Sequence, residues 1–426
     1  MKLNSYAGNK TRPMSNSERN YSLDKAKIKF LLLEGLHPRA REIIESEGYT
    51  NIVEKPGALT PQELKQALKG VHFVGIRSRT QLDAAAIDAA DRLTAIGCFC
   101  IGTNQVALQH AGCAGIPVFN APFANTRSVA ELSLAEIIML MRGIPQKNAA
   151  AHRGEWLKSA SGSTEIRGKT LGIVGYGHIG SQLGIIAESM GMRVIFQDIE
   201  NKLPLGNAEA RSSLESLLKE ADVVSLHVPD TAETRNLMTA SLINTMRKGS
   251  YLINAARGTI VDIDALSKAL RSGHIAGAAI DVFPREPKSN DDRFESPLVG
   301  LDNVLLTPHI GGSTLEAQEN IAIEVASKLV RYSDNGTTRS AVNFPQVSLP
   351  DHGLTRRIMH IHHNEPGVLN GINQIFFGNE VNIAAQYLQT DGDIGYVVMD
   401  VESDNVSALM KDLAEIPATI RTRILH

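Results

Sequence analysis

Three charged or titratable residues each follow a short apolar run in the second half of the chain. Arg257 lies in INAARGTIVD, Glu286 in DVFPREP and His309 in LLTPHIGG. An arginine can hold a carboxylate and a carbonyl oxygen through its fork of donors, and a histidine exchanges protons near neutral pH. A glutamate hydrogen-bonded to that histidine would fix its tautomer and favour the imidazolium. These residue types suit proton transfer at an oxygen next to a carboxylate.

A glycine-rich run, GYGHIG, occupies residues 175–180 between an apolar run, LGIVG, and a helical run, SQLGIIAESMG. Glycines at this spacing let the backbone approach a pyrophosphate at the positive end of the helix. An aspartate ends the next apolar run, IFQD, about 20 residues on, where it can bind ribose hydroxyls and repel a 2′-phosphate. We therefore expect NAD as the cofactor, with the histidine of the turn lining the pyrophosphate and taking no part in the chemistry. The predicted contacts are Gly175, Gly177, His178, Ile179, Gly180 and Asp198.

A nicotinamide cofactor gives the first three residues a specific task. Hydride transfer to or from a hydroxy acid needs a substrate anchor, a proton carrier and a group that tunes the carrier. Arg257, His309 and Glu286 fit these roles in that order. Each follows a predicted strand, and ligands bind at the carboxyl ends of strands in an open α/β sheet. Each residue alone could be an ordinary surface or structural residue, so the prediction depends on all three together.

A second, smaller group of polar residues suits an anionic ligand. Arg77, Ser78 and Arg79 follow one another in IRSRT, after an apolar run. Two guanidinium groups and a hydroxyl in one loop suit a phosphate, although two solvated surface arginines are the alternative. Gly102 and Asn104, in CIGTNQV, add backbone amides on which a carboxylate could rest.

Short β-rich runs alternate with helical stretches over most of the chain, which predicts parallel sheets covered by helices. Four such runs lie before Pro122, and six more follow from KTLGIVG to NVLLTPH. Between the two series lies one long helical stretch, SVAELSLAEIIMLMRGIPQKNAAAHRG, and after His309 comes one amphipathic helix, STLEAQENIAIEVASKLVRYSDNG, ended by Asn-Gly. The last segment has the βαββαβ order of a ferredoxin-like domain.

The predicted fold class is α/β, with two doubly wound parallel-sheet domains and a C-terminal βαββαβ ferredoxin-like domain. The first sheet domain is expected to be discontinuous, because the amphipathic helix should return to it. The predicted boundaries are a polar tail at 1–24, a substrate-binding domain at 25–124 and 312–342, an NAD-binding domain at 125–311, a linker at 343–353 and a regulatory domain at 354–426.

Composition excludes several other classes of protein. A formal net charge of -3 supplies no large positive field for nucleic acid. The sequence contains no run of about 18 apolar residues, so no membrane span is predicted. The three cysteines form no disulfide framework and indicate a reducing compartment, so a cytoplasmic location is expected. Cys98 and Cys100 alternate on an apolar run and are interpreted as core residues, against a redox or metal pair.

The runs GYGHIG, INAARG, DVFPREP and TPHIGGSTLEAQ resemble the signatures of D-2-hydroxyacid dehydrogenases. The resemblance implies that Arg257, Glu286 and His309 are catalytic. It also implies further cofactor contacts, with Asp281 holding the nicotinamide carboxamide and the loop from His309 to Gly312 closing near the ring. The added cofactor residues are Asn254, Ala255, Ala256, Asp281, His309, Gly311 and Gly312.

Longer runs, including GCFCIGTNQV, NTRSVAE and SAVNFPQVSLP, resemble the bacterial branch of this family that oxidises 3-phosphoglycerate to 3-phosphohydroxypyruvate in L-serine biosynthesis. In that branch the matching Arg77, Ser78 and Arg79 face the substrate. The resemblance also implies a homotetramer.

The last segment resembles an ACT regulatory domain that binds L-serine between subunits and inhibits the enzyme. The matching contacts are His362, Asn364 and Asn382. The sequence departs from the pattern at Glu365, where the resembling sequences often have a basic residue. Two alternatives stay open for this segment. His360 and His362 share a strand face and could ligate a metal, although no third ligand is evident and no metal is expected. The domain could also serve only to join subunits edge to edge.

Two alternatives to the main function remain. The same basic loop could hold the distal carboxylate of 2-oxoglutarate, which would make the chain a reductase that forms 2-hydroxyglutarate. The same fold also serves NAD-sensing corepressor-like proteins, but the anion loop and the effector domain favour a metabolic enzyme.

Overall fold

The structure, a computed structural model, describes residues 23–287, 291–353, 355–403 and 406–425. Nearly all of the predicted polar tail, residues 1–24, lies outside these ranges, as does Leu354 at the predicted start of the regulatory domain. The chain divides into two compact units. One comprises the described residues up to Ala121 together with those from Ala322 onward, and the other is Pro122–Ile321.

The amino-terminal part of the first unit is a five-stranded sheet in the order β2-β1-β3-β4-β5, with every pairing parallel. Its strands are short and, apart from β2, fully buried, which explains why they read as continuous apolar runs. The prediction missed β2, because this edge strand is only partly buried and lacks a long apolar run. The elements are β1 Phe30–Leu32, α1 Arg39–Ser46, β2 Ile52–Glu54, α2 Pro61–Ala67, β3 Phe73–Ile76, α3 Ala84–Asp88, β4 Ala95–Cys98, α4 Leu108–Cys113 and β5 Val118–Phe119.

The second unit contains a seven-stranded sheet in the order β12-β11-β10-β9-β6-β7-β8, which is a doubly wound arrangement of parallel strands. The two-residue edge strand β8 was not predicted. The elements are α5 Thr126–Arg142, α6 Ile144–His152, β6 Thr170–Val174, α7 His178–Ser189, β7 Arg193–Gln197, β8 Glu209–Ala210, α8 Leu214–Glu220, β9 Val223–Leu226, α9 Ala240–Thr245, β10 Ser250–Asn254, α10 Ile263–Arg271, β11 Ile275–Ile280 and β12 Val304–Leu306.

The long helical stretch at the start of this unit is two helices, where the sequence predicted one. Gly143, between α5 and α6, has φ 59°, a left-handed conformation that ends the first helix. Pro145 lies in the first turn of the second helix, where proline is well tolerated.

A single helix, α11 Leu315–Asn335, follows the second unit's sheet and ends before Gly336, as the Asn-Gly signal predicted. The carboxyl-terminal segment then forms an antiparallel sheet in the order β14-β15-β13-β16, with two helices, and has the predicted ferredoxin-like topology. Its elements are β13 Arg356–His363, α12 Val368–Gly378, β14 Ile383–Asp391, β15 Ile394–Val401, α13 Val406–Ala414 and β16 Thr419–Leu425.

A buried ion pair ties this segment to the end of α11 within the first unit. Arg357 is fully buried and binds both carboxylate oxygens of Asp400 at 2.7 Å. The third guanidinium nitrogen, Nη1, donates to the backbone oxygens of Asn335 and Pro350. A buried charge is tolerated only with such complete pairing. Within the described ranges, no helix is both long and apolar enough to cross a membrane.

Candidate active site

Three neighbouring strands of the second unit carry the predicted catalytic residues. Strands β10, β11 and β12 lie side by side, and Arg257, Glu286 and His309 each follow the carboxyl end of one of them. Parallel strands end at the same edge of a sheet, so residues from distant stretches of sequence meet there.

The imidazole of His309 is hydrogen-bonded to the carboxylate of Glu286. The Nδ1 atom lies 2.9 Å from one oxygen and 3.1 Å from the other. The hydrogen bond and charge of Glu286 raise the pKa of His309 above its ordinary value, while partial burial and the charge of Arg257 oppose the rise. Because Nδ1 is engaged, Nε2 is the nitrogen left to exchange a proton with a ligand.

Glu286 is held in place as well as paired. One of its oxygens accepts the backbone N–H of Phe283 at 3.1 Å. Burial, the largest influence, raises the pKa of this carboxyl, but the hydrogen bond and charge of His309 outweigh it, and the net pKa is lowered. The glutamate is therefore an anion that favours the imidazolium form of its neighbour.

Arg257 stands in a turn that Asn254 braces. The side chain of Asn254 donates to the backbone oxygen of Arg257 at 3.0 Å and accepts the N–H of Ala256 at 3.1 Å. The next residue, Gly258, has no room for a side chain, since a Cβ there would lie 2.0 Å from the backbone of Phe283. The guanidinium of Arg257 bonds the oxygen of Ala256 at 2.6 Å, and its charge lowers the pKa of both Glu286 and His309.

Asp281, which is 1% exposed, organises the loop that carries His309. One carboxylate oxygen accepts the Thr307 hydroxyl at 2.7 Å and the Ile310 N–H at 2.8 Å, and the other accepts the Gly311 N–H at 2.9 Å. The backbone of this loop is strained, because His309 has φ 55°, a left-handed conformation that few residues adopt. The bonds to Asp281 stabilise this backbone. Gly312 completes the loop, with too little space for a Cβ against Asn125.

Glu136, on α5, is a residue of this neighbourhood that the sequence reasoning missed. Its side chain is 1% exposed, and the Thr307 hydroxyl that binds Asp281 also lies 3.5 Å from one Glu136 oxygen. Burial, followed by the charge of Asp281, raises the pKa of Glu136 to about 8. The carboxyl is therefore neutral at pH 7. A single acidic residue on the apolar face of α5 was the available signal.

The glycine-rich turn joins β6 to α7 and has the shape that a dinucleotide requires. A Cβ on Gly175 would lie 2.5 Å from the backbone oxygen of His227, and one on Gly180 would lie 2.2 Å from the oxygen of Gly175. Around Gly177, by contrast, a Cβ would meet no described atom within 4 Å, which leaves room at the amino end of α7. No side chain in the described region caps that end, so its backbone donors suit a pyrophosphate.

The other predicted residues of the turn lie around it. Asp198, just after β7, accepts the N–H of Tyr176 at 2.7 Å, so the aspartate is fixed beside the turn. The ring of His178 packs on Phe123 with centroids 4.0 Å apart, and Ile179 is in the first turn of α7. The residues present therefore fit an NAD molecule with a free 2′-hydroxyl.

The predicted anion loop lies in the first unit, after β3. Arg77 is partly buried, and Ser78 and Arg79 are exposed. Gly102 and Asn104 follow β4, the neighbouring strand, so the two loops leave the same edge of the sheet. Sequence reasoning missed Glu34, whose buried carboxylate binds the backbone of the arginine loop.

The predicted effector residues do not meet within one chain. His362 is buried near the end of β13 and pairs with Gly395, and Asn364 follows at the same end. Asn382 precedes β14, whose first residue pairs with Val401 at the opposite end of the sheet. One copy of the sheet thus carries the two halves of the predicted site at opposite ends.

The histidine pair considered as a metal site has other contacts. His360 Nε2 lies 2.9 Å from the Thr419 hydroxyl, and burial lowers the pKa of His360 to about 4. His362 Nδ1 bonds the backbone oxygen of His363 at 2.7 Å. In the part of the chain that the structure describes, no group of three or more metal-ligating side chains occurs.

Comparisons with known families agree with this geometry. Residues 134–311 match the family described as D-isomer specific 2-hydroxyacid dehydrogenase, NAD binding domain. Residues 358–421 match the AHAS small subunit-like ACT domain. The chain is 63% identical over 405 residues to D-3-phosphoglycerate dehydrogenase of Haemophilus influenzae, covering 95% of this chain and 99% of that one. It is 62% identical over 407 residues to the protein of the same name from Escherichia coli K12, with the same coverage.

Solved structures extend the similarity to more distant relatives. The TT0316 protein of Thermus thermophilus is 34% identical, with a TM-score of 0.63, over 71% of this chain and 95% of that one. The D-lactate dehydrogenase of Aquifex aeolicus, solved with NAD and lactic acid, is 27% identical, with a TM-score of 0.64 and the same coverage.

Proposed function

Because the chain belongs to the D-3-phosphoglycerate dehydrogenase family, we propose that it oxidises 3-phosphoglycerate to 3-phosphohydroxypyruvate with NAD, the first step of a phosphorylated route to L-serine. The single observation that carries the chemistry is the bond of 2.9 Å between His309 and Glu286, at the sheet edge that also bears Arg257 and the glycine-rich turn. The choice of substrate rests on the names of the relatives that the chain matches.

The proposed mechanism gives one task to each of the three residues. Arg257 binds the substrate carboxylate and the C2 oxygen through its fork of donors. The neutral imidazole of His309 accepts the proton of the C2 hydroxyl at Nε2 as the alcohol becomes a ketone. Glu286 stabilises the imidazolium that forms. NAD bound beside these residues would supply the acceptor for the C2 hydride. In the reverse direction His309 returns the proton to the oxygen.

We assign cofactor binding to two groups of residues in the second unit. The turn residues bind the pyrophosphate at the amino end of α7, and Asp198 binds the adenosine ribose. Asp281 would hold the nicotinamide carboxamide through a hydrogen bond. The proposed cofactor residues are Gly175, Gly177, His178, Ile179, Gly180, Asp198, Asn254, Ala255, Ala256, Asp281, His309, Gly311 and Gly312.

We assign the substrate phosphate to the arginine loop, with Arg77, Ser78 and Arg79 as its ligands and Gly102 and Asn104 beside them. Residues 25–124 and 312–342 would then form the substrate-binding domain, 125–311 the NAD-binding domain and 354–426 the regulatory domain, after a linker at 343–353.

L-Serine is the proposed effector of the ACT domain, bound by His362, Asn364 and Asn382. The register of the sheet supports a site shared by two copies. Because β14 is an edge strand, antiparallel pairing of two β14 strands would bring Asn382 of one copy to the His362 end of the other. We therefore propose a homo-oligomer, with a tetramer as the working assembly, in the cytoplasm. Glu365 beside the site would weaken the response to serine.

The decisive experiment compares NADH production with 3-phosphoglycerate, D-lactate and D-2-hydroxyglutarate under one set of conditions. We expect a clear preference for the phosphorylated substrate, and millimolar L-serine should lower that rate while NAD binding persists. Equal rates on all three substrates would defeat the phosphate assignment. A preference for D-2-hydroxyglutarate would favour the alternative of 2-oxoglutarate reduction. Rates unchanged across a serine titration would remove the effector assignment.

A further inference from the structure

Glu34 lies two residues after β1 in the first unit, in an energetically unfavourable position. Its side chain is 3% exposed, and its backbone has φ 68°. A left-handed conformation is unfavourable for glutamate, and a buried carboxylate is unfavourable unless it is hydrogen-bonded. Neither feature is needed to end a strand, so the position calls for compensating contacts.

Those contacts are with the backbone of the arginine loop. One Glu34 oxygen accepts the N–H of Thr80 at 2.8 Å and of Arg77 at 3.1 Å, and the other accepts the N–H of Arg79 at 3.0 Å. The second oxygen also lies 3.7 Å from Nε of Arg79. The carboxylate therefore satisfies the donors on both sides of Ser78, and these amides are not available to an anionic ligand.

Gln105 fixes the carbonyl side of the same loop. Its buried amide nitrogen donates to the backbone oxygen of Arg77 at 2.8 Å and of Gly102 at 3.2 Å. One side chain thus joins the loop after β3 to the loop after β4. Together Glu34 and Gln105 determine the backbone positions from which the two arginine side chains extend.

We infer that Glu34 is a positioning residue for anion recognition: it sets the spacing of Arg77 and Arg79, and through them the preference for a substrate that carries a phosphate. The inference rests on the proposed function, because it assumes that the arginine loop receives the phosphate. Because the amides of Arg77, Arg79 and Thr80 are bound to Glu34, we assign recognition of the anion chiefly to the two guanidinium groups and Ser78. Their geometry, in turn, depends on Glu34.

The test is the variant Glu34→Gln in the full chain, with kinetics on 3-phosphoglycerate and inhibition by inorganic phosphate. The amide nitrogen of glutamine cannot accept the Arg79 N–H, so the loop loses one charge-assisted bond while side-chain volume is kept. We expect KM for 3-phosphoglycerate and the inhibition constant of phosphate to rise in parallel, by about tenfold or more. The kcat at saturating substrate and the affinity for NADH should stay within about twofold.

A matched control and a second variant keep the test decisive. Glu63→Gln removes an exposed carboxylate from the capping box of α2 in the same unit and should leave both constants unchanged. Gln105→Glu places a carboxylate against two backbone oxygens and should raise the same two constants, so it provides the test if Glu34→Gln folds poorly. Unchanged constants in both loop variants would overturn the inference, as would a loss of kcat and NADH affinity equal to the change in KM.

The wild-type rates separate this inference from the proposed function. A wild-type enzyme inactive on 3-phosphoglycerate would refute the proposed function alone. Phosphate binding to the wild type and to Glu34→Gln, measured by calorimetry, would then decide the role of Glu34. Weaker binding to the variant supports that role, and equal binding refutes it.

Discussion

Two loops of this molecule, one in each unit, are built on the same device. In both, a carboxylate at the end of a strand is almost fully buried and accepts backbone N–H groups of a neighbouring loop. Asp281 binds the amides of Ile310 and Gly311, and Glu34 binds those of Arg77, Arg79 and Thr80. Each loop thereby holds its functional side chains on a fixed backbone.

The loops differ in what they present. The Asp281 loop carries a histidine whose charge changes near neutral pH, with Glu286 on one side and the protonated Glu136 behind Thr307. The Glu34 loop carries arginines, which stay charged at any pH the protein experiences. Under the proposed function, pH dependence and turnover belong to the first loop and substrate choice to the second.

The largest effect should come from His309→Asn, because it removes the proposed proton carrier of the first loop. Asparagine adopts the left-handed backbone of this position more readily than most residues, so the loop should keep its shape. Steady-state rates on every substrate should fall by roughly 10²- to 10⁴-fold, with NADH affinity retained in a fluorescence titration. His110→Asn, on the exposed surface of α4, is the control. A loss confined to 3-phosphoglycerate would break the division between the loops.

Asp281→Asn should have the next largest effect and is the counterpart of Glu34→Gln. An asparagine keeps one acceptor oxygen but turns an NH₂ toward the Gly311 N–H, so the His309 loop loses a charge-assisted bond. We expect turnover to fall by about 10- to 100-fold on phosphorylated and unphosphorylated substrates alike, with weaker NADH binding. Asp262→Asn, a helix-capping change at α10, should be nearly neutral. A selective rise in KM for 3-phosphoglycerate would contradict the proposed role.

Glu286→Gln should change the pH profile more than the rate itself. The hydrogen bond and charge of Glu286 raise the pKa of His309, so the variant should bring that pKa down. In the proposed mechanism oxidation needs neutral His309, so the low-pH limb of the oxidation rate should move to lower pH. Reduction needs the imidazolium, so its high-pH limb should also move to lower pH, and the rate above that limb should fall roughly tenfold for a pKa lowered by one. Profiles that coincide with those of the wild type and of the exposed control Glu215→Gln would rule out the tuning role.

The sequence predicted those parts of the site that are local in the chain. The glycine-rich turn and the residues after β10, β11 and β12 belong to strand-turn patterns, and parallel strands necessarily bring their ends together. Glu34 and Glu136 escaped prediction because their roles depend on burial by distant segments. The strands β2 and β8 were missed because short edge strands carry little apolar signal. Gly143 divides a stretch that was predicted as one helix, because it adopts a left-handed backbone there.

The distribution of the effector residues was also beyond a single sequence. His362, Asn364 and Asn382 look like one site in a motif comparison, yet the register of β13, β14 and β15 separates them within a chain. Strand register decides which ends of a sheet meet, and it follows from side-chain packing over the whole domain. The resemblance implies a site between subunits, and the register adds that the predicted contacts lie at opposite ends of the sheet within one chain.

The smallest effect on activity should come from Glu136→Gln, which tests the protonated group behind the histidine loop. Burial raises the pKa of Glu136 from 4.5 to about 8, so the folded protein holds a proton that the unfolded chain releases. The stability from this proton is complete below about pH 4.5 and is lost as pH rises toward 8, by at most about 5 kcal/mol. Glutamine resembles the neutral acid and does not ionise, so the variant should lose less stability than the wild type between pH 5.5 and 8.5.

Urea unfolding followed by circular dichroism at the two pH values measures this difference, and kcat at pH 7 should stay within about twofold. If both proteins lost the same stability, the proton would reside elsewhere. The result bears directly on the contrast between the loops. Of the two loops, only the His309 loop is contacted by a second carboxyl with a pKa near neutrality, that of Glu136. The support of this loop should therefore weaken as the solution becomes alkaline. The Glu34 loop should hold its arginines unchanged.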